Sequence, residues 1–212
     1  CRQLINSGMS GRENEILILI SDRGIQLNLI TQALGNLGLP FDPPPGAALT
    51  NVEAIRAVYS ILRIVKDQAT GRPDYVAHRV LIALFAGIGP ATAKSIADGC
   101  VSNNQNFHDL YYLASLPNWL TGRMKSAVAR LTTLVQSVGA WTMQDTLGAR
   151  TTDIEQLLSN HVFTGSAQVA NHIATWHAVA SNLLQGMTLE ELLNFFAADD
   201  ETEQRAVLDA VQ

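Results

Sequence analysis

The stretch Leu84-Phe85-Ala86-Gly87-Ile88-Gly89-Pro90-Ala91-Thr92-Ala93-Lys94 stops a helix and restarts it almost at once. The apolar run from Asp74 to Leu84 reads as the first helix, which ends at Gly87-Ile88-Gly89. Pro90 then sits where a first helical turn tolerates it, since its missing N–H has no partner there anyway. Glycines on both sides of Ile88 permit positive φ and let backbone approach backbone. A solvated connection would need neither. The spacing predicts two joined helices, with the free N–H groups of the second held side by side at the positive end of its dipole. A phosphate is the natural ligand for such a nest. Ile88 is expected to plug into the core between the helices, Thr92 to add a hydroxyl hydrogen bond and Lys94 a screened charge. A turn kept only for helix packing is the alternative.

The rest of the chain after residue 50 also reads as helical. Thr50-Asn51-Val52-Glu53 spells a capping box, and apolar residues at 52, 55, 58, 59, 62 and 65 carry a helix to about Asp67. Ala69-Thr70-Gly71-Arg72-Pro73 breaks it. Gly99 is expected to stop the helix that starts at Pro90. A helix near 107–114 follows, then a long one near 120–138, apolar at 120, 124, 128, 131, 134, 135 and 138. Thr152-Asp153-Ile154-Glu155 and Thr188-Leu189-Glu190-Glu191 spell two more helix starts, with a long helix from Ser166 to Leu184 between them.

The front of the chain differs. Glu15-Ile16-Leu17-Ile18-Leu19-Ile20 reads as a buried strand, followed by a helical stripe at 25, 29, 30, 33, 34 and 37 and a proline-stiffened linker, LPFDPPPG. One strand makes no sheet, so its partners are expected in a longer parent. An opening CRQLINSG without methionine points the same way. The expected organisation is a strand–helix segment over 1–46, a helical body over 47–198, and a charged boundary over 199–212 that contains DDETEQRA.

With 212 residues, 47% of them hydrophobic and only 6% aromatic, the chain can bury a sizeable core of packed helices. Its formal net charge of −5 argues against a strong free-standing nucleic-acid binder. Cys1 and Cys100 make no disulfide framework and no metal site, which points to a reducing, cytoplasmic setting. His172 and His177 are five residues apart and do not share a helix face as metal ligands would. His78, His108 and His161 have no Cys or carboxylate at ligand spacing, so no metal is expected. No loop ending in Gly-Lys-Ser/Thr is present to cradle a nucleoside triphosphate. The longest apolar run is far shorter than a membrane span.

A second basic group lies in Leu120-Thr121-Gly122-Arg123-Met124-Lys125, where Arg123 and Lys125 fall in a first helical turn. Cations there oppose the dipole, which a nearby anion would relieve. A plain solvated face is the other reading. Thr164-Gly165-Ser166 opens a further helix, as a simple N-cap or as a third phosphate contact.

Taken in order, these segments resemble the 2B subdomain of UvrD/Rep/PcrA-type superfamily 1 DNA helicases, with part of subdomain 2A in front. EILILISDRGIQLNLITQALGNLGLPF is similar to the family's strand and helix. TNVEAIRAVYSILRIVKD looks like the first 2B helix, FAGIGPATAKSIAD carries the Gly-Ile-Gly motif, and LTGRMKSAVARLTTLVQSV resembles the helix downstream. The resemblance covers roughly residues 15 to 200. It implies a mainly α fold: a helical 2B-type subdomain with a helix-hairpin-helix element, preceded by a small α/β piece of a RecA-like 2A domain.

It also implies a parent enzyme that hydrolyses ATP with Mg and moves 3′ to 5′ on single-stranded DNA. This segment would lack the ATPase motifs, have no catalytic residue and hold no cofactor. Its expected partners are duplex DNA at a single-strand/double-strand junction and the parent's remaining subdomains, with no membrane. Carried over, the duplex contacts are Gly87, Ile88 and Gly89 through backbone and Thr92 through its hydroxyl, with Lys94 beside them. Gly122, Arg123 and Lys125 make the second contact. The chain has Ala86 where the family often has Arg, Ser21-Asp22-Arg23 at the end of the front strand, and FDPPPGAAL as the crossing. Two other classes remain open: a protein-interaction domain that keeps the turn for packing, and a hairpin-containing DNA glycosylase using Asp109.

Overall fold

The computed structural model describes residues 49–197, with further single helical positions at 32, 33, 36, 204 and 207. Two compact units divide the chain, Cys1–Gly46 and Ala47–Gln212. In the first, Gln32, Ala33 and Asn36 are helical and exposed, while the strand expected at 15–20 and the linker lie outside the described residues. The charged stretch 199–206 lies outside them too, apart from a helical Gln204.

Among the described residues the fold is mainly α. Seven α-helices run in the order α1 Glu53–Thr70, α2 Tyr75–Leu84, α3 Gly89–Ser102, α4 Gly122–Ser137, α5 Leu147–Leu157, α6 Val169–Ser181 and α7 Leu189–Ala197. No strand occurs among the described residues, and the one β-type pairing is an isolated bridge between Thr146 and Thr188. No helix there is long and apolar enough to cross a membrane.

Helix α1 is the axis. Its sequence carries apolar residues on more than one stripe, and Ala54, Ile55, Ala57, Val58, Ile61, Leu62, Ile64 and Val65 are all buried. That width lets it pack against α2, α6 and α7 at once. Gly71 ends it in the left-handed region (φ 64), donating its N–H to Asp67 O at 2.8 Å. The start differs from the capping-box reading. Leu49 is buried and draws 49–51 into a 3-10 turn, so Val52 precedes the helix and no side chain caps it. Arg56 takes up the loose carbonyls instead, donating to Thr50 O and Asn51 O.

Four other boundaries shift. Gly99 does not stop α3, which runs on to Ser102 and is followed by Asn104 in the left-handed region (φ 49). Gly99 is there for space: a Cβ on it would lie 2.5 Å from the Trp119 ring. Trp119 is held in turn by its Nε1–H donating to Gln105 Oε1 at 3.2 Å. The helix expected at 107–114 is only the 3-10 turn Asp109–Tyr112. Helix α5 starts at Leu147 rather than near Thr152, because Thr146 caps it and Leu147 N donates to Met187 O at 2.7 Å. It continues into the π-helical turn Leu158–Val162. The helix expected over 166–184 is the shorter α6.

The last capping box does form. Thr188 N–H and hydroxyl both donate to Glu191 Oε2, at 2.8 and 2.9 Å, and Glu191 N–H donates back to Thr188 Oγ1 at 3.2 Å. The Thr188 backbone and side-chain hydrogen bonds hold the Glu191 carboxyl below the usual glutamate range. Its contribution is present above the ordinary glutamate pKa and is lost as pH falls through the lowered one. Replacing Thr188 by Ala should move the Glu191 titration back up in carboxyl-detected NMR, since one of its two donors is gone. Gly99→Ala should destabilise the fold by about 1–3 kcal/mol in urea unfolding through overpacking against Trp119. At an open helical site, propensity alone would favour Ala.

Candidate functional site

Helices α2 and α3 are joined by Phe85-Ala86-Gly87-Ile88. Gly87 and Gly89 both have φ 75, and an added Cβ would meet nothing within 4 Å at either. Conformation, rather than space, is what requires glycine there. Ile88 is half-buried against the core, and its N–H closes the turn on Phe85 O at 3.0 Å. The N–H groups of Gly87, Gly89 and Ala91 make no hydrogen bond among the described residues. Three donors therefore stand free at the positive end of a 14-residue helix.

The neighbouring side chains behave differently from one another. Thr92 is buried, and its hydroxyl donates to Ile88 O at 3.0 Å, so its proton holds the turn and does not face outward. Lys94 is exposed and pairs with Asp98 at 2.6 Å one turn on. Such an exposed pair gives way readily to a competing anion.

What steadies the turn is Arg130, halfway along α4. Its guanidinium lies over the Phe85 ring, 4.5 Å from the centroid. Its Nε donates to His161 O and its Nη2 to Val162 O at 2.9 Å, while Ala86 N–H reaches the same Val162 carbonyl at 3.4 Å. The π-helical turn, the Gly-Ile-Gly turn and α4 are thereby tied together.

The second basic group stands elsewhere. Thr121 makes no side-chain cap, Gly122 has φ 50, and exposed Arg123 and Lys125 form no ion pair among the described residues. Trp119, just before α4, packs on Gly99 in the later part of α3, whereas Arg130 stands beside Phe85. The start of α4 is thus about 12 Å from the Arg130 level, at 1.5 Å per residue. The Gly-Ile-Gly turn and the start of α4 are therefore set beside different levels of that helix. Thr164-Gly165-Ser166 forms a turn with Gly165 at φ 79, and Ser166 Oγ accepts from Gln168 N at 3.1 Å, which is local capping.

The fold also gathers a group that spacing did not suggest. Asp67, His78 and His108 bring one donor atom each within 4.8 Å of one another, which corrects the reading that these histidines lack a carboxylate partner. Asp67 belongs to the last turn of α1 and is 4% exposed, and His78 on α2 is fully buried. His108 Nε2 lies 2.8 Å from Asp67 Oδ2, which also accepts the Asp74 N–H at 3.2 Å. His78 Nδ1 lies 2.7 Å from Asp74 O. A carbonyl only accepts, so Nδ1 carries the proton and Nε2 presents its lone pair. The nearest partner of that lone pair is the Tyr112 hydroxyl at 3.4 Å. Burial, partly opposed by the Asp74 hydrogen bond, holds the His78 pKa below the usual histidine value. Burial and the Asp67 charge push Tyr112 up to about 12.

Asp74 caps α2 by accepting Ala77 N–H at 3.0 Å, and Arg63 grips both its oxygens at 2.6 and 2.8 Å. An open groove of about 630 Å³, lined in part by Tyr59, Arg63, Lys66, Asp67, Asp74 and Tyr75, reaches this corner. The other histidines keep ordinary roles. His172 stacks on Phe163 with centroids 3.9 Å apart, and exposed His177 pairs with Glu155 at 2.9 Å. Asp109 is exposed, with its Oδ1 3.2 Å from His108 Nδ1.

Comparison of the chain with protein-family models, with curated proteins and with solved structures found no match. Functional inference therefore rests on the geometry. Sequence reasoning missed Arg130 as the anchor of the turn; its only signal is a cation between buried Val128 and Leu131. Arg130→Met should lower stability by about 1.5–3 kcal/mol in urea unfolding, the range for hydrogen bonds to a charged group. Arg130→Lys should recover less than half of that, since an ammonium does not reproduce the planar fork.

Proposed function

We propose that the helical body over residues 47–198 is a 2B-type subdomain of a UvrD-like, ATP-dependent 3′–5′ DNA helicase, and that it grips duplex backbone beside a single-strand/double-strand junction. The observation that carries this is the row of three free N–H groups on Gly87, Gly89 and Ala91, presented by two positive-φ glycines at the start of α3. In this reading α2, the glycine turn and α3 form the helix-hairpin-helix element. Gly87, Ile88 and Gly89 bind one phosphate through backbone, with Lys94 adding charge once it leaves Asp98. Gly122, Arg123 and Lys125 bind a second phosphate from the start of α4.

Contacts of this kind position a duplex without reading its bases. ATP and Mg belong to the parent enzyme's other subdomains, which are the protein partners of this one, and the setting is cytoplasmic. A second reading, a protein-interaction domain without DNA binding, is favoured by Thr92, whose hydroxyl proton is already engaged by Ile88 O.

Fluorescence-anisotropy titration of a duplex bearing a 3′ single-stranded tail separates the two. Binding should weaken with salt along a log–log slope on the order of −2 to −4, as expected for two to four phosphates. A Gly87→Ala/Gly89→Ala variant with intact helicity should bind at least about tenfold more weakly, because alanine resists left-handed φ and turns the donors away. Arg123→Gln/Lys125→Gln should flatten the slope by about 1–2. Absence of binding by the unmodified chain at low salt would favour the interaction domain.

A further inference from the structure

We propose that Asp67, His78 and His108 form a site for a zinc-like divalent cation that cross-links the end of α1, the start of α2 and the segment between α3 and α4. This goes beyond the DNA-binding reading and does not depend on it. The three donor atoms lie within 4.8 Å of one another. Small side-chain rotations bring two imidazole nitrogens and a carboxylate oxygen to the roughly 2.0–2.2 Å that zinc requires.

The donor set favours this class of ion. Two imidazoles and one carboxylate suit zinc and its neighbours, whereas calcium and magnesium need a shell of oxygens. The outer nitrogens are already arranged as a metal site arranges them. His78 Nδ1–H donates to Asp74 O at 2.7 Å, and His108 Nδ1 faces Asp109 Oδ1 at 3.2 Å. Such partners fix the ring orientation and leave Nε2 as the ligand atom.

An independent observation is the state of His78 Nε2. It is a lone pair on a fully buried side chain, and its one partner is a hydroxyl at 3.4 Å, near the outer limit for a hydrogen bond. The His78 and His108 rings lie edge to face with centroids 5.1 Å apart. In the structure His108 Nε2 and Asp67 Oδ2 lie 2.8 Å apart; a cation reaching this corner along the groove beside Asp67 and Asp74 takes the place of that contact and recruits His78. Three protein ligands leave a fourth position for the Tyr112 hydroxyl or water.

The test uses the full chain, stripped with a chelator and then dialysed against zinc, with metal content read by mass spectrometry. Cobalt(II) serves as a spectroscopic probe. One equivalent of zinc per chain should be retained and Tm should rise, and cobalt should give visible bands without the intense thiolate absorption of a cysteine site. His108→Gln can still hydrogen-bond to Asp67, and it should lose at least about tenfold in zinc affinity while keeping its helicity. Asp109→Asn should also weaken binding, by about tenfold or more, through its effect on His108 alone. His177→Gln should change nothing. The proposal is overturned if the unmodified chain retains no zinc, if His108→Gln retains it equally, or if cobalt shows thiolate ligation.

Discussion

A carboxylate at the end of a buried helix constrains much of what surrounds it. Helix α1 is covered on most of its circumference, and Asp67 is only 4% exposed where the groove reaches it. A buried charge needs charged or hydrogen-bonding partners, and the chain supplies them from two directions. The Asp74 N–H fixes where α2 begins, and His108 fixes where the chain passes after α3. Asp74 is itself gripped by Arg63 from α1 and caps α2. The path from α1 through α2 is therefore set by polar contacts at the corner and by apolar packing along the helices.

Helix α2 carries this constraint to the Gly-Ile-Gly turn. It has ten residues, about 15 Å of rise, with Asp74 and His78 at one end and Phe85 at the other. The first end is tied to α1 and the far end to α4 and the π-helical turn through Arg130. Between the two anchors the helix has little freedom to slide. The turn it bears is consequently held in place although two of its residues are glycines, the type with the most conformational freedom to lose.

How much of this could be read from the sequence depended on how local each signal was. The stripe at 55, 58, 62 and 65 lies on buried positions of α1, and Pro90 sits in the first turn of α3 as expected. Three stretches share the Thr-x-x-Glu spelling, at 50–53, 152–155 and 188–191, yet only the last forms a capping box. Long-range contacts decide which is used: Leu49 is pulled into the core, and the Leu147–Met187 hydrogen bond starts α5 five residues before Thr152. Gly99 looks like a stop by composition, but the ring that requires it comes from Trp119, twenty positions later. The Asp67, His78 and His108 group spans forty-one residues with no repeating interval, so only the folded chain brings it together.

The same distinction bears on what a phosphate-binding turn needs. Backbone donors discriminate poorly and are individually weak, so they hold an anion well only when they already point at it. In this chain the orientation of the turn comes from groups on its inner side. Ile88 packs inward, the Thr92 hydroxyl holds Ile88 O, and Arg130 joins Phe85 to the carbonyls of His161 and Val162. Arg130 is therefore a cation whose charge serves the fold, whereas Arg123 and Lys125, further up the same helix, remain free to meet an anion. Counting basic residues on α4 would treat the three alike, and the net charge of −5 would count against all of them. The geometry separates an anchoring cation from a pair left exposed and, among the described residues, unpaired. On the proposed reading, grip on a phosphate backbone in an acidic chain would come from oriented dipoles and a few placed charges, with correspondingly modest affinity.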